Sequence, residues 1–172
     1  MNINIFFVII ASGLLMIFFL FKPLDIKQQK FIDVPLFQLD SFNLHELNQK
    51  GLSTLMSGTN ATRYSDRYTV KDIDYTDNSR TYIANMKASD GIYKNEIVEI
   101  SGNVVYTRED GLTFQTQSAV YNKKTKIAYT DKDYVSYRND DRVEGTSLKY
   151  NNLLGKAYST NVVAVYQLQE DE

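Results

Sequence analysis

Residues 97–122, IVEISGNVVYTREDGLTFQTQSAVYN, decide the fold class. Val98, Ile100, Gly102, Val104 and Tyr106 alternate with Glu99, Ser101, Asn103 and Val105; beyond Asp110-Gly111, Leu112 and Phe114 alternate with Thr113 and Gln115. A period of two is that of a strand with one face covered, and an Asp-Gly pair between two such runs marks a hairpin. The same alternation runs upstream through Tyr82, Ala84, Met86 and Ala88, and downstream through Leu148 and Tyr150 about Lys149. Turn signals recur at Ser65-Asp66, Asp77-Asn78-Ser79, Asp90-Gly91, Asn122-Lys123, Asn139-Asp140 and Asn151-Asn152. From Phe37 onward no stretch carries the helical period. The 13 tyrosines suit a pleated, half-buried surface, and no proline follows Pro35 to remove a ladder donor. These features predict an all-β domain over residues 37–172.

The chain also echoes itself. Tyr121-Asn122 recurs as Tyr150-Asn151, Ala128-Tyr129 as Ala157-Tyr158, and Tyr137 as Tyr166, each 29 residues on. Each unit is predicted to be a pair of short strands about an Asn-containing turn, stacked on the next. An array of this kind leaves strand edges at both ends. Val162, Val163 and Val165 form the most β-prone segment and lie at the last edge, which makes them candidates for docking a partner strand.

Upstream of the β region the composition changes. Met1–Phe21 holds no charged side chain, and at about 1.5 Å per residue it reaches roughly 31 Å, close to the hydrocarbon thickness of a bilayer. The run lacks a basic leader and ends in Phe18-Phe19-Leu20-Phe21 without small residues for cleavage. Residues 1–22 are therefore expected to be an uncleaved transmembrane anchor, and residues 23–36, with Pro23 and Pro35, a linker. Lys22, Lys27 and Lys30 just after the run would by themselves favour holding that side in the cytoplasm.

Chemistry is nearly absent. With 19 basic and 21 acidic residues the net charge is −2, which gives no footprint for nucleic acid. There is no cysteine, and His45 is the only histidine. Asp72-x-Asp74-x-x-Asp77 lacks both the glycine and the closing glutamate of a calcium loop. No catalytic residue, metal site or cofactor is expected, so the chain does not read as an enzyme.

The layout as a whole resembles the LptC family. Phe42-Asn43-Leu44 through Gly51-Leu52 looks like the family's first hairpin, and Ala61-Thr62-Arg63-Tyr64 its next segment. Glu99-Ile100-Ser101-Gly102-Asn103-Val104 resembles the Gly-(Asn/His)-Val core shared with LptA. Leu112-Thr113 through Ser118-Ala119-Val120-Tyr121-Asn122 resembles the strand pair that follows, and Gly145 through Leu148 with Lys156-Ala157 the last turns. The resemblance implies a twisted antiparallel β-jelly-roll, boat-shaped with open edges, standing in the periplasm. It also implies a single-pass inner-membrane helix with a cytoplasmic N-terminus, against the lysine signal. The implied partners are lipopolysaccharide, the membrane, inner-membrane Lpt ABC transporter subunits and an LptA-like bridge protein. Strand parity offers Ile100, Val104, Tyr106, Leu148 and Tyr150 as groove residues, and the resemblance adds Phe42 and Tyr166 at the two ends. The competing expectation is a membrane-anchored structural domain with a closed, dry core and no lipid ligand.

Overall fold

The computed structural model describes residues 3–20, 33–49, 51–79 and 81–167. Most of the expected linker, the ends of the expected anchor and the acidic tail Glu170-Asp171-Glu172 lie outside them. The chain divides into two units, residues 1–31 and 32–172. The first holds α1 (Ile3–Leu20), 18 residues without a charged side chain. At about 1.5 Å per residue α1 reaches roughly 27 Å. Among the described residues no helix is long and apolar enough to cross a membrane.

The second unit is one open antiparallel sheet. Its long strands are β1 (Phe37–Asn48), β2 (Gly51–Arg63), β3 (Tyr68–Asp77), β4 (Ala84–Lys94), β5 (Ile97–Arg108) and β6 (Thr113–Asn122). Six short strands follow: β7 (Ile127–Thr130), β8 (Tyr134–Arg138), β9 (Asp141–Gly145), β10 (Ser147–Asn151), β11 (Lys156–Thr160) and β12 (Val163–Val165). β7 pairs with the far end of β6 and β8 with its near end. β10 and β9 then pair with β7 and β8, and β11 and β12 with β10 and β9. The short strands are thus the two halves of three further passes along the same meander, which makes nine passes in all.

A transverse line of irregular pairing crosses every pass. Ser41, Asp72, Gly102, Asn103 and Asn161 all have φ between 50° and 80° and lie on this line in the first, third, fifth and ninth passes. Between them the Thr59 hydroxyl donates to the Asp72 carboxylate at 2.6 Å, and the Ser89 hydroxyl to the Gly102 carbonyl at 3.1 Å. Gly102 is required there on two counts. Its φ is +80°, and a Cβ would stand 2.6 Å from that of Ser89. In the last three passes the same line falls at residues 131–133, at Thr146, and at Asn161-Val162, where the strands break altogether.

The line is a crease, because side chains from its two sides meet. Ile73, Ala88, Ile100 and Val104 form the buried core, with Val70, Met56, Tyr75, Met86, Val98 and Ala119 against it. Val70 and Ile73 belong to one strand on opposite sides of Asp72, and Ile100 and Val104 flank Gly102-Asn103. Directly paired residues share a face, so the register carries this inner face across the sheet. On β3 it switches from Tyr68 and Val70 to Ile73 and Tyr75, and on β6 from Thr116 to Ala119. The expected parity therefore does not run unbroken through most strands, because an extra residue at the crease shifts it by one. On β5 two irregular residues restore it, so Ile100, Val104 and Tyr106 do share the inner face.

The 29-residue echo is a physical repeat. Tyr121 pairs with Ala128, and Tyr150 with Ala157. Asn122 accepts from the backbone N–H groups of Lys124 and Thr125, and Asn151 from those of Leu153 and Leu154, all at 2.9–3.1 Å. Lys126 and Gly155, also 29 apart, close the two turns with φ near 60°.

Candidate functional site

The inner face of the folded sheet is apolar in its middle, mixed with Thr116, Thr130, Ser136 and Ser159 towards the last strands, and not uniformly covered. Among the described residues six hydrophobic side chains are buried, and five of them, Ile73, Ala84, Ala88, Ile100 and Val104, lie on β3–β5. Close approach there rests on small residues: a Cβ on Gly91 would sit 2.4 Å from the Ile73 Cδ1. The sixth, Tyr134 on β8, stacks on Phe114 with ring centroids 5.5 Å apart. Its hydroxyl shares a 2.8 Å hydrogen bond with that of Ser159 on β11, across the crease. It lies over Gly145, where a Cβ would stand 2.7 Å from its ring.

Beyond this contact the two halves part. A concavity of about 320 Å³ lies between them, lined by Phe114, Tyr134, Ser136 and Val143 on one side and Leu148, Ala157 and Ser159 on the other, with Val162 at the break. A second, of about 420 Å³, lies on the opposite, outer face of the sheet, where Tyr129, Lys149 and Tyr158 form one cross-strand row beside the Ser147–Thr160 pair. Both volumes fall in the range of small-ligand sites.

The residues expected to line a groove are spread along this face. Ile100 and Val104 are buried in the central core. Tyr106 is half-buried and paired with Met86 and Phe114. Leu148 is half-buried and borders both concavities, while Tyr150, next along, is more exposed. Phe42 is half-buried against Gly58, where a Cβ would come within 2.9 Å of its ring. Tyr166 lies past β12 and is exposed. Of the three edge valines, Val163 and Val165 are exposed on β12, which pairs only with β9 among the described strands. Val162 precedes that strand and borders the smaller concavity. Phe114, Tyr134, Val143 and Ala157 line the smaller concavity without being among the groove residues that strand parity offers. Centring the hairpin on Asp110-Gly111 finds Phe114, since it sets that residue opposite Tyr106. Nothing local marks Tyr134, whose place depends on the break at 131–133.

The free edges of the folded halves are two rims of turns. One rim comprises residues 64–67, 95–96, 123–126 and 152–155. Inside it the register lines up Tyr68, Tyr93, Tyr121 and Tyr150. Arg63 stands over the Tyr68 ring at 5.5 Å and Lys123 over that of Tyr93 at 5.2 Å. The Tyr93 hydroxyl donates to Glu96 at 3.0 Å, which holds its pKa above the usual phenol value. Asp66 pairs with Lys94 at 2.6 Å and Arg67 at 2.9 Å, and its carboxyl is held low, chiefly by the hydrogen bond from Lys94. The described residues of the other rim are 49, 78–79, 81–83, 109–112 and 139–140 with their flanks. Their arginines pair within it: Arg108 and Arg138 share the Asp110 carboxylate, and Arg142 holds Glu144.

Among the described residues no group of His, Asp or Glu could hold a metal ion. The sequence model of one family, LptC (lipopolysaccharide-assembly, LptC-related), matches residues 6–166, nearly the whole chain. The chain belongs to the LptC family. Comparison with curated proteins gives no match. LptC membership links the chain to the envelope system for lipopolysaccharide transport, whose LptC members are transport and bridge components rather than enzymes.

Proposed function

We propose that this LptC protein accepts lipopolysaccharide from the inner-membrane ABC transporter in an apolar groove of its β-domain and passes it to an LptA-like bridge protein. The observation that carries this reading is the imbalance of the inner face. It carries large apolar side chains from Phe42 to Val162, yet outside the central strands only Tyr134 among the described hydrophobic side chains is buried. A folded sheet with no ligand gains from closing such a face. One left open offers burial worth about 0.8 kcal/mol for each CH₂ of an acyl chain.

Anchoring by the N-terminal run belongs to the same proposal. The uncharged stretch Met1–Phe21 is longer than the described helix, and the family's place in the envelope argues for a cytoplasmic N-terminus and a periplasmic β-domain. Resistance of the mature protein to carbonate extraction, with Met1 or Asn2 retained, is expected; an N-terminus near Lys27 would contradict it. Hand-off is assigned to the outer edge of β12, whose unpaired backbone groups suit an added strand.

The test is a photoreactive side chain at Leu148, introduced in cells. A lipopolysaccharide adduct is expected, and a folded, expressed protein giving none would contradict lipid passage. The second reading, a dry interaction domain, draws on the tight packing of Val104 and Ile100 and predicts no adduct at any inner position.

A further inference from the structure

One rim carries lysines without a carboxylate partner where a lipid in the groove would present its headgroup. Outside the row Tyr68, Tyr93, Tyr121 and Tyr150, the first rim carries Lys123, Lys124 and Lys126 on the first repeated turn and Lys156 at the start of β11, just after the second. No acidic side chain pairs with Lys124, Lys126 or Lys156 among the described residues. The only acids in the turns of that rim are Asp66, consumed by Arg67 and Lys94, and Glu96, which takes the Tyr93 hydroxyl. On the opposite rim the described arginines each hold a carboxylate, Arg108 and Arg138 sharing that of Asp110. The first rim thus offers ammonium groups without a carboxylate partner among the described residues.

Tyrosine between an apolar interior and a charged margin suits an amphiphile, because its ring faces hydrocarbon and its hydroxyl faces water. Unpaired lysines just beyond such a row suit phosphate, which takes charge-assisted hydrogen bonds from ammonium donors. We infer that the rim formed by turns 123–126 and 152–155 binds phosphate monoesters on the headgroup of the lipid whose acyl chains occupy the groove, with Lys124, Lys126 and Lys156 as the contacting residues. The inference rests on the groove reading and adds to it a site for the headgroup.

The experiment compares lipid A with phosphatase-treated lipid A as probes for the full chain in nanodiscs. The variant replaces Lys124, Lys126 and Lys156 with Gln; all three are exposed, so the fold is retained. Wild-type protein is expected to bind lipid A roughly tenfold more tightly than the dephosphorylated form, and the triple variant to bind both equally at the lower level. Restoring charge with Arg at the three positions should restore discrimination. Equal loss for both lipids in the triple variant, or no loss for either, overturns the headgroup site while leaving the groove standing. Failure of wild-type protein to bind either lipid overturns the groove and the headgroup site together. Inorganic phosphate at millimolar concentration should not displace lipid A; displacement would mean a free-anion site and would overturn the assignment to a lipid headgroup.

Discussion

The strands β3–β5 and the strands β7–β12 obey one plan and end differently. In the central strands each pass is continuous through the crease, and glycine or a short side chain sits where the halves meet. Ile73 lies over Gly91, Ser89 lies against Gly102, and Val104 is 2% exposed. In the last three passes the strand breaks at the crease, each half keeps only three to five residues, and Leu148 and Val162 face open space. Closure of the creased sheet therefore goes with strands that survive the crease. The inner face at the open end is also the less apolar, with Thr130, Ser136 and Ser159 beside Val143 and Leu148, while Val163 and Val165 pair with Glu144 and Arg142 on the other face.

The largest effect that could break this comparison is a charge on the inner face. Val104→Arg buries an unpaired guanidinium in the central core and is expected to cost at least about 3 kcal/mol, enough to unfold much of the domain. Leu148→Arg, where the side chain can reach water, is expected to cost about 1 kcal/mol. Thermal melts followed by circular dichroism check both. Equal losses would mean that the C-terminal section is as closed as the middle.

Two glycines sharpen the same contrast. Gly102 and Gly155 both have positive φ, but a Cβ at Gly102 meets Ser89, whereas nothing lies within 4 Å of one at Gly155. Gly155→Ala should cost about 1 kcal/mol from backbone strain alone. Gly102→Ala should cost about twice that, because the crease must also shift. Denaturant titration resolves a difference of this size.

At the open edge, replacing Val163 and Val165 by Lys should leave the melting temperature nearly unchanged, since both side chains are exposed. It should nevertheless weaken capture of an LptA-like partner in a pull-down, because charge on an edge strand opposes pairing. Undiminished capture would place hand-off elsewhere.

The smallest effect expected is that of acid. Asp66, Asp74 and Asp110 are held below their usual 3.8, by hydrogen bonds from Lys94, from Asn85 and Lys87, and from Arg108 respectively. A carboxyl lowered in the folded state contributes stability above its unfolded pKa and loses it as pH falls through the folded value. A modest drop in melting temperature is expected as pH falls below 3.8. It should be felt in β2–β6, where all three carboxyls and their partners lie. Loss confined to β7–β12 would contradict it.

The strand class was legible because alternation and Asp-Gly or Asn-containing turns are local signals. The repeat was legible for the same reason, since Asn122 and Asn151 each build their own turn. The crease was not. Ser41, Asp72 and Asn161 look like ordinary polar residues, and their shared line exists only once the register joins them. Parity reasoning therefore grouped Ile100 with Val104 on a strand whose doubled irregularity preserves the alternation, and it had no means of finding the switch on β3 or β6. Tyr134 was hidden for a related reason, because its opposite residues, Gly145 and Ser159, come from two later passes.

Hydrogen exchange of the full chain, read along the sequence with and without lipid A, tests the contrast between closed middle and open end most directly. Added lipid should slow exchange over residues 113–116, 134–136 and 143–162. Residues 73–75, 86–91 and 98–104 should exchange slowly in both conditions and change little. Slowing confined to the central strands, or no change at the C-terminal end, would contradict the account.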